Sequence, residues 1–176
     1  MKSIILIIAL FTVSITISGQ TKFSSKNYNY SFVIPDGWHS KEKIMNPDVD
    51  AKIVDGKGNS FIVSVKSFPT SSDLTATQMM EGVTNHELEE QFNAVYGETT
   101  IVKRGTVFFS SKEFYYYHLL TPFTGNLKLY HKQFLYNEGY KILSIDACAI
   151  ETNVDETSPA FSIMLSTFEF TNLKNR

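Results

Sequence analysis

The chemistry open to this chain rests on four histidines, one cysteine and a scatter of acidic residues. His86-Glu87 begins like the helical zinc-protease motif, in which a second histidine three residues after the glutamate completes the grip on zinc. Residue 90 is Glu90, so that imidazole is missing. His86, Glu87, Glu89 and Glu90 therefore read as the solvated side of a helix. Asp48, Asp50 and Asp55 suggest calcium, but the glycine and closing glutamate of a calcium loop are not at the required spacing. The sequence holds neither a Gly-x-Ser-x-Gly elbow nor a phosphate-cradling glycine loop. Cys148 has two readings. One is a small apolar group packed in a strand; the other is a reactive thiol, paired with a histidine or bridging between molecules.

His118 and His131 form the sharper constellation. If the turn between their strands centres between Thr124 and Gly125, the two face each other across an antiparallel pair. Directly opposed Cβ atoms lie ~5 Å apart, near enough for two imidazoles to share a metal. A third ligand is not evident, so the expectation is two polar residues near a sheet edge or under a helix end, with no metal and no cofactor.

The elements that must position these residues follow from periodicity. Thr21 to Asn27 is a polar arm, after which Tyr28, Tyr30, Phe32 and Ile34 alternate as a strand ended by Pro35-Asp36-Gly37-Trp38. Trp38 is expected to be substantially buried, anchoring that turn. Val49 to Val54 and Ser60 to Phe68 are strands around the turn-rich 55–59, and Pro69 is expected to end the second. From Thr75 to Tyr96 apolar residues recur at helical spacing. Thr75 with Gln78 makes a capping box, and Gly82 predicts irregularity in the middle.

Thr99 to Ser110, Glu113 to Thr121, Leu127 to Tyr136 and Tyr140 to Ile150 read as four more strands, with turns at Ser110-Ser111, Thr124-Gly125-Asn126 and Asn137-Glu138-Gly139. Gaps this short favour antiparallel neighbours. Ser158-Pro159 predicts a helix start, with Phe161, Met164, Leu165 and Phe168 as its apolar stripe. The strands of the second half are apolar on both sides, so both faces need cover. The fold class is α+β: an antiparallel sheet of about six or seven strands with helices on both faces, an α/β/α sandwich.

Composition narrows the function. Arg104 and Arg176 are the two arginines, there is no basic run, and the formal charge is −2, so nucleic acid is not the partner. Fourteen phenylalanines and nine tyrosines mostly serve packing. Tyr115, Tyr117, Tyr130 and Tyr136 are the candidates for a half-wet surface that meets a ligand or partner.

Lys2, the apolar Ile4 to Ile17, and the small Ser18 and Gly19 have the order of a cleaved secretory signal, residues 1–20. The apolar run is short of the ~20 residues that span a bilayer, so no transmembrane anchor is expected after cleavage. The remaining 21–176 then form a single domain, secreted or periplasmic.

Tyr30-Ser31-Phe32-Val33-Ile34-Pro35-Asp36-Gly37-Trp38, Ser60 to Lys66, Gln133-Phe134-Leu135-Tyr136, Gly139-Tyr140-Lys141-Ile142 and Phe161 to Phe170 occur in an order that resembles the PsbP-like superfamily. That superfamily includes the extrinsic P subunit of photosystem II, the Ran-binding Mog factor and DcrB-type bacterial envelope proteins. The resemblance implies the same sandwich and a largely non-enzymatic repertoire, and it transfers no functional residue. The expectation is thus an exported, non-catalytic binding or assembly module with an unidentified protein partner. The alternative is a carrier holding a small apolar ligand between sheet and helix; a metal- or thiol-dependent enzyme ranks last.

N-terminal sequencing of exported protein should find a chain starting within a few residues of Gln20. A chain starting at Met1 would remove the compartment.

Overall fold

A computed structural model describes residues 21–42 and 44–171; the signal expected over 1–20 lies outside them. β1 (Thr21–Ser24) pairs antiparallel with β2 (Tyr30–Ile34), Phe23 opposite Phe32 with their rings 5.1 Å apart. The polar arm, Thr21 to Asn27, is therefore a strand at its start. Backbone pairing is indifferent to its polar side chains, and Phe23 supplies the contact that fixes it. β3 (His39–Ser40), β4 (Val49–Val54) and β5 (Ser60–Ser72) follow. The turn between β4 and β5 is built on Asp55, whose carboxylate accepts from the Lys57 N–H and, at 2.6 Å, from the Asn59 amide. Pro69 does not end β5 as expected. The pairing register shifts between Ser67 and Ser72, and at such an irregularity a residue without an N–H costs no ladder bond.

The expected long helix is two: α1 (Ala76–Met79) and α2 (Asn85–Tyr96), parted where Gly82 takes φ 82°. Thr75 and Gln78 make the expected capping box, and Thr84 with Glu87 makes a second. β6 (Thr100–Phe109) and β7 (Lys112–Pro122) join through Ser110 and Ser111, both at positive φ, the geometry that matches the twist of a two-residue hairpin.

β8 (Lys128–Ile150) bears two arms. His131 Nδ1 lies 3.0 Å from the Asp146 carboxylate, fifteen residues along the same strand. A straight strand would hold them about 50 Å apart. The strand therefore doubles back, and Gly139 at φ 63° marks the turn expected over Asn137-Glu138-Gly139. The first arm pairs with β7 and the second with β5, in a sheet ordered β3-β4-β5-β8-β7-β6.

After a short 3₁₀ turn comes α3 (Val154–Ser166), then β9 (Glu169–Phe170), which adds to β2 in a second sheet ordered β1-β2-β9. α3 starts four residues before the expected Ser158-Pro159, with Pro159 inside it. Near a helix start the lost N–H removes one bond. The Thr157 and Ser158 hydroxyls bond back to the Asn153 and Val154 carbonyls and help hold that turn.

Alternation along the strands makes two cores. On one face Phe61, Val63, Phe114 and Ile145 meet Phe32 of β2 with Phe161 and Met164 of α3. On the other, Tyr115, Tyr117, Leu119 and Ile101 meet Ala76 and Leu88 of α1 and α2. The architecture is α+β, with a six-element antiparallel sheet covered on both faces. No helix among the described residues is long and apolar enough to cross a membrane.

The Trp38 ring stands edge-on to Phe161 at 5.5 Å and is mostly covered against the larger core, while Asp36 and Gly37 of the same turn are exposed. Phe61→Ala, at a fully enclosed site, should cost about 3–5 kcal/mol in denaturant melts. Trp38→Ala should cost roughly half that. A loss below about 1 kcal/mol for Trp38→Ala would show that it does not anchor the turn.

Candidate functional site

The four tyrosines separate. Tyr115 and Tyr117 are 6% and 5% exposed, core residues beneath α1 and α2, and not part of a ligand or partner surface. Their places in β7 send both to the face that the helices close. Tyr130 is half-buried, its hydroxyl 2.9 Å from His118 Nδ1. Tyr136 lines a cavity on the opposite side of the sheet.

His118 and His131 do not share a face. The observed register sets Leu119 opposite His131 and His118 opposite Lys132, one residue from the expected pairing. A slip of one residue sends side chains to opposite faces. The cause is the connection: Phe123 N–H donates to the Leu127 carbonyl and Leu127 N–H to Thr124, so a wider loop centred on Gly125 replaces the tight turn. The two imidazoles cannot bind one metal, and among the described residues no group of three or more His, Cys, Asp or Glu is placed to hold one. His118 is held down to about 4 by burial, with Lys132 and Lys103 adding repulsion.

The register instead delivers His131 to residues that sequence reasoning did not join. Its Nδ1 faces Asp146 at 3.0 Å; its Nε2 faces Thr121 Oγ1 at 3.1 Å and Cys148 Sγ at 3.9 Å. His131 and Cys148 are buried, and the Asp146 side chain is 18% exposed. Burial works against a charged imidazole, but the hydrogen bonds to Asp146 and Cys148 outweigh it and raise the His131 pKa well above the ordinary value. Asp146-Ala147-Cys148 already placed two of these side chains on one face of a strand. What the sequence lacked was the fold-back of β8 that brings His131 to them.

The cavity lies between the small sheet and β8. Tyr28, Tyr30, Tyr136, Leu143, Lys141 and Phe170 enclose about 120 Å³. The Lys141 ammonium lies 5.3 Å from the Tyr28 ring centre, and Lys112 sits over both Tyr136 and Phe170. A cavity of about 150 Å³ takes a benzene-sized group, whereas sites for larger ligands run to about 300–1,000 Å³. The volume of this one matches a single ring or aliphatic side chain.

The raised His131 pKa has a signed consequence. Stabilisation by its bond to Asp146 is full below the ordinary imidazole pKa and fades as pH rises through the raised value. Asp146→Asn should therefore cost about 3 kcal/mol at pH 6 and markedly less near pH 10, by urea melts. An equal loss at both would show the imidazole to be neutral throughout.

No protein-family model matches the sequence, and no characterised protein matches it significantly by sequence. Solved structures do match in shape. Cyanobacterial PsbP (CyanoP) from Synechocystis sp. PCC 6803 aligns with TM-score 0.64 at 18% identity, over 89% of this chain and 95% of that one. LpqN of Mycobacterium tuberculosis, described as involved in cell envelope biogenesis, aligns with TM-score 0.56 at 8% identity, over 89% and 88%. A Bacteroides thetaiotaomicron VPI-5482 protein aligns with TM-score 0.56 at 11% identity; this chain spans 50% of its length. Two stacked antiparallel sheets with α3 on one face and α1 and α2 on the other are, by this likeness, the PsbP-like fold.

Proposed function

We propose that this protein is a non-catalytic binding or assembly module acting outside the cytoplasm, in the envelope or the secreted fraction. The aromatic cavity carries the reading. It is open, walled by Tyr28, Tyr136 and Phe170, and sized for one side chain of a protein partner. Interfaces take their energy from such pockets, where a single anchor is desolvated among aromatic walls. The signal-like order of residues 1–20 and the likeness to an envelope-biogenesis protein support the compartment.

The carrier reading is weaker. Its ligand was expected between sheet and helix, where Leu88 and Ala76 pack directly onto Tyr115, Tyr117 and Leu119. The aromatic cavity, at about 120 Å³, is itself too small for a lipid chain.

Affinity capture from envelope extract, with native mass spectrometry of the protein from its own host, tests both readings. A defined partner should be retained by the wild type and lost with Tyr136→Ala, whereas Val95→Ala on the far face should keep it. A co-purifying small molecule in the native spectrum would favour the carrier instead. Equal retention by both variants would move the binding site elsewhere.

A further inference from the structure

The face of the sheet away from that cavity carries a cluster that partner binding leaves unused. Asp146, His131 and Cys148 stand in sequence, carboxylate to Nδ1 at 3.0 Å and Nε2 to Sγ at 3.9 Å. Thr121 Oγ1 steadies the same Nε2 at 3.1 Å, so the ring is held from both sides. A carboxylate that orients an imidazole beside a thiol is the arrangement that activates sulfur nucleophiles. A cysteine that only fills space needs none of it.

The sulfur is enclosed, its residue 6% exposed, but the cover is thin. Tyr96 lies against His131, ring centres 5.8 Å apart, and is itself 41% exposed. It is the last residue of α2, a helix in which Leu88 alone is buried, and Gly97 follows it at φ 82°. The ionisable groups around the imidazole and sulfur are Asp146 from β8, Tyr117 from β7 and Tyr96 from α2.

We propose that Cys148 is a thiol-exchange site, oriented by His131 and Asp146 and gated by Tyr96, that reacts with small disulfides. The sulfur attacks one sulfur of R–S–S–R, the new Cys148–S–S–R bond forms, and the old S–S bond breaks. Cys148 attacks as the thiolate beside the His131 imidazolium, its own proton having passed to solvent. The departing R–S⁻ takes the Nε2 proton and leaves as R–SH, and the imidazole regains a proton from solvent. Cys148 is oxidised to the mixed disulfide as R–S–S–R is reduced, with nothing left over. The sequence holds one cysteine, so no second thiol of the chain resolves the adduct, and it persists until an external thiol removes it. A group attached at so enclosed a sulfur has no room beneath Tyr96, so modification lifts the last turn of α2.

The folded chain, reduced and then freed of reductant, is mixed with the chromogenic disulfide dithionitrobenzoate at pH 6. Released thiol gives the rate and intact mass gives the adduct. At this pH an isolated thiol is mostly protonated and slow. The folded chain should react at least about tenfold faster than the same chain unfolded in guanidinium. His131→Gln and Asp146→Asn should each lower the folded rate by about tenfold, and Tyr96→Ala should raise it. If His131→Gln does not fold, the near-isosteric Asp146→Asn carries the test. A folded chain slower than the unfolded one, or a rate indifferent to Asp146→Asn, overturns the proposal. Either result leaves the aromatic cavity untouched, since that site lies on the other face.

Discussion

Gly139, at φ 63°, lets β8 fold back so that one arm pairs with β7 and the other with β5. Both halves of the main sheet meet at these arms, so their relative register decides which side chains share a face across its middle. Phe134 and Leu143 reach the aromatic core together because of it, and on the other face His131 reaches Asp146 and Cys148. Within the main sheet, every other strand is placed by pairing outward from this centre. The turn is therefore the constraint on which both the packing and the polar chemistry depend.

The two faces are closed by different means. Beneath β2 and α3, ring packs on ring: Phe32 against Phe61 at 5.2 Å and against Phe168 at 6.1 Å, and Phe109 against Phe114 at 3.8 Å. This is the larger core, and the small sheet β1-β2-β9 is held on it. Beneath α1 and α2 the seal is narrower, resting on Leu88 and Ala76. A helix with so little buried surface has little to hold its last turn down. Polar groups buried below it are bonded to one another, and no buried side-chain polar atom among the described residues lacks a partner.

Much of the architecture was legible because it rests on local rules. Alternation in Glu113–Thr121 showed that both faces are covered, the capping residues located the start of α1, and short gaps required antiparallel neighbours. Failures came where a local signal was outweighed. Pro69 and Pro159 stop strands and helices on average, but each lies where one missing N–H is tolerated, at a register shift and near a helix start. The arm before Asn27 showed no period, yet the open edge of β2 was there to pair with.

The sequence by itself determined the class of fold, the order of its elements and the poverty of conventional catalytic motifs, because periodicity, turn chemistry and motif spacing are carried by neighbouring residues. Only the tertiary structure decided which side chains meet. The loop from Phe123 to Leu127 settled on a centre half a residue from the tight turn, which moved the pairing by one residue and parted His118 from His131, and the return of β8 then seated His131 beside Asp146 and Cys148. Those outcomes hang on registers between segments distant in the chain. Registers are set by the summed packing of whole faces, and no short stretch of sequence encodes that sum.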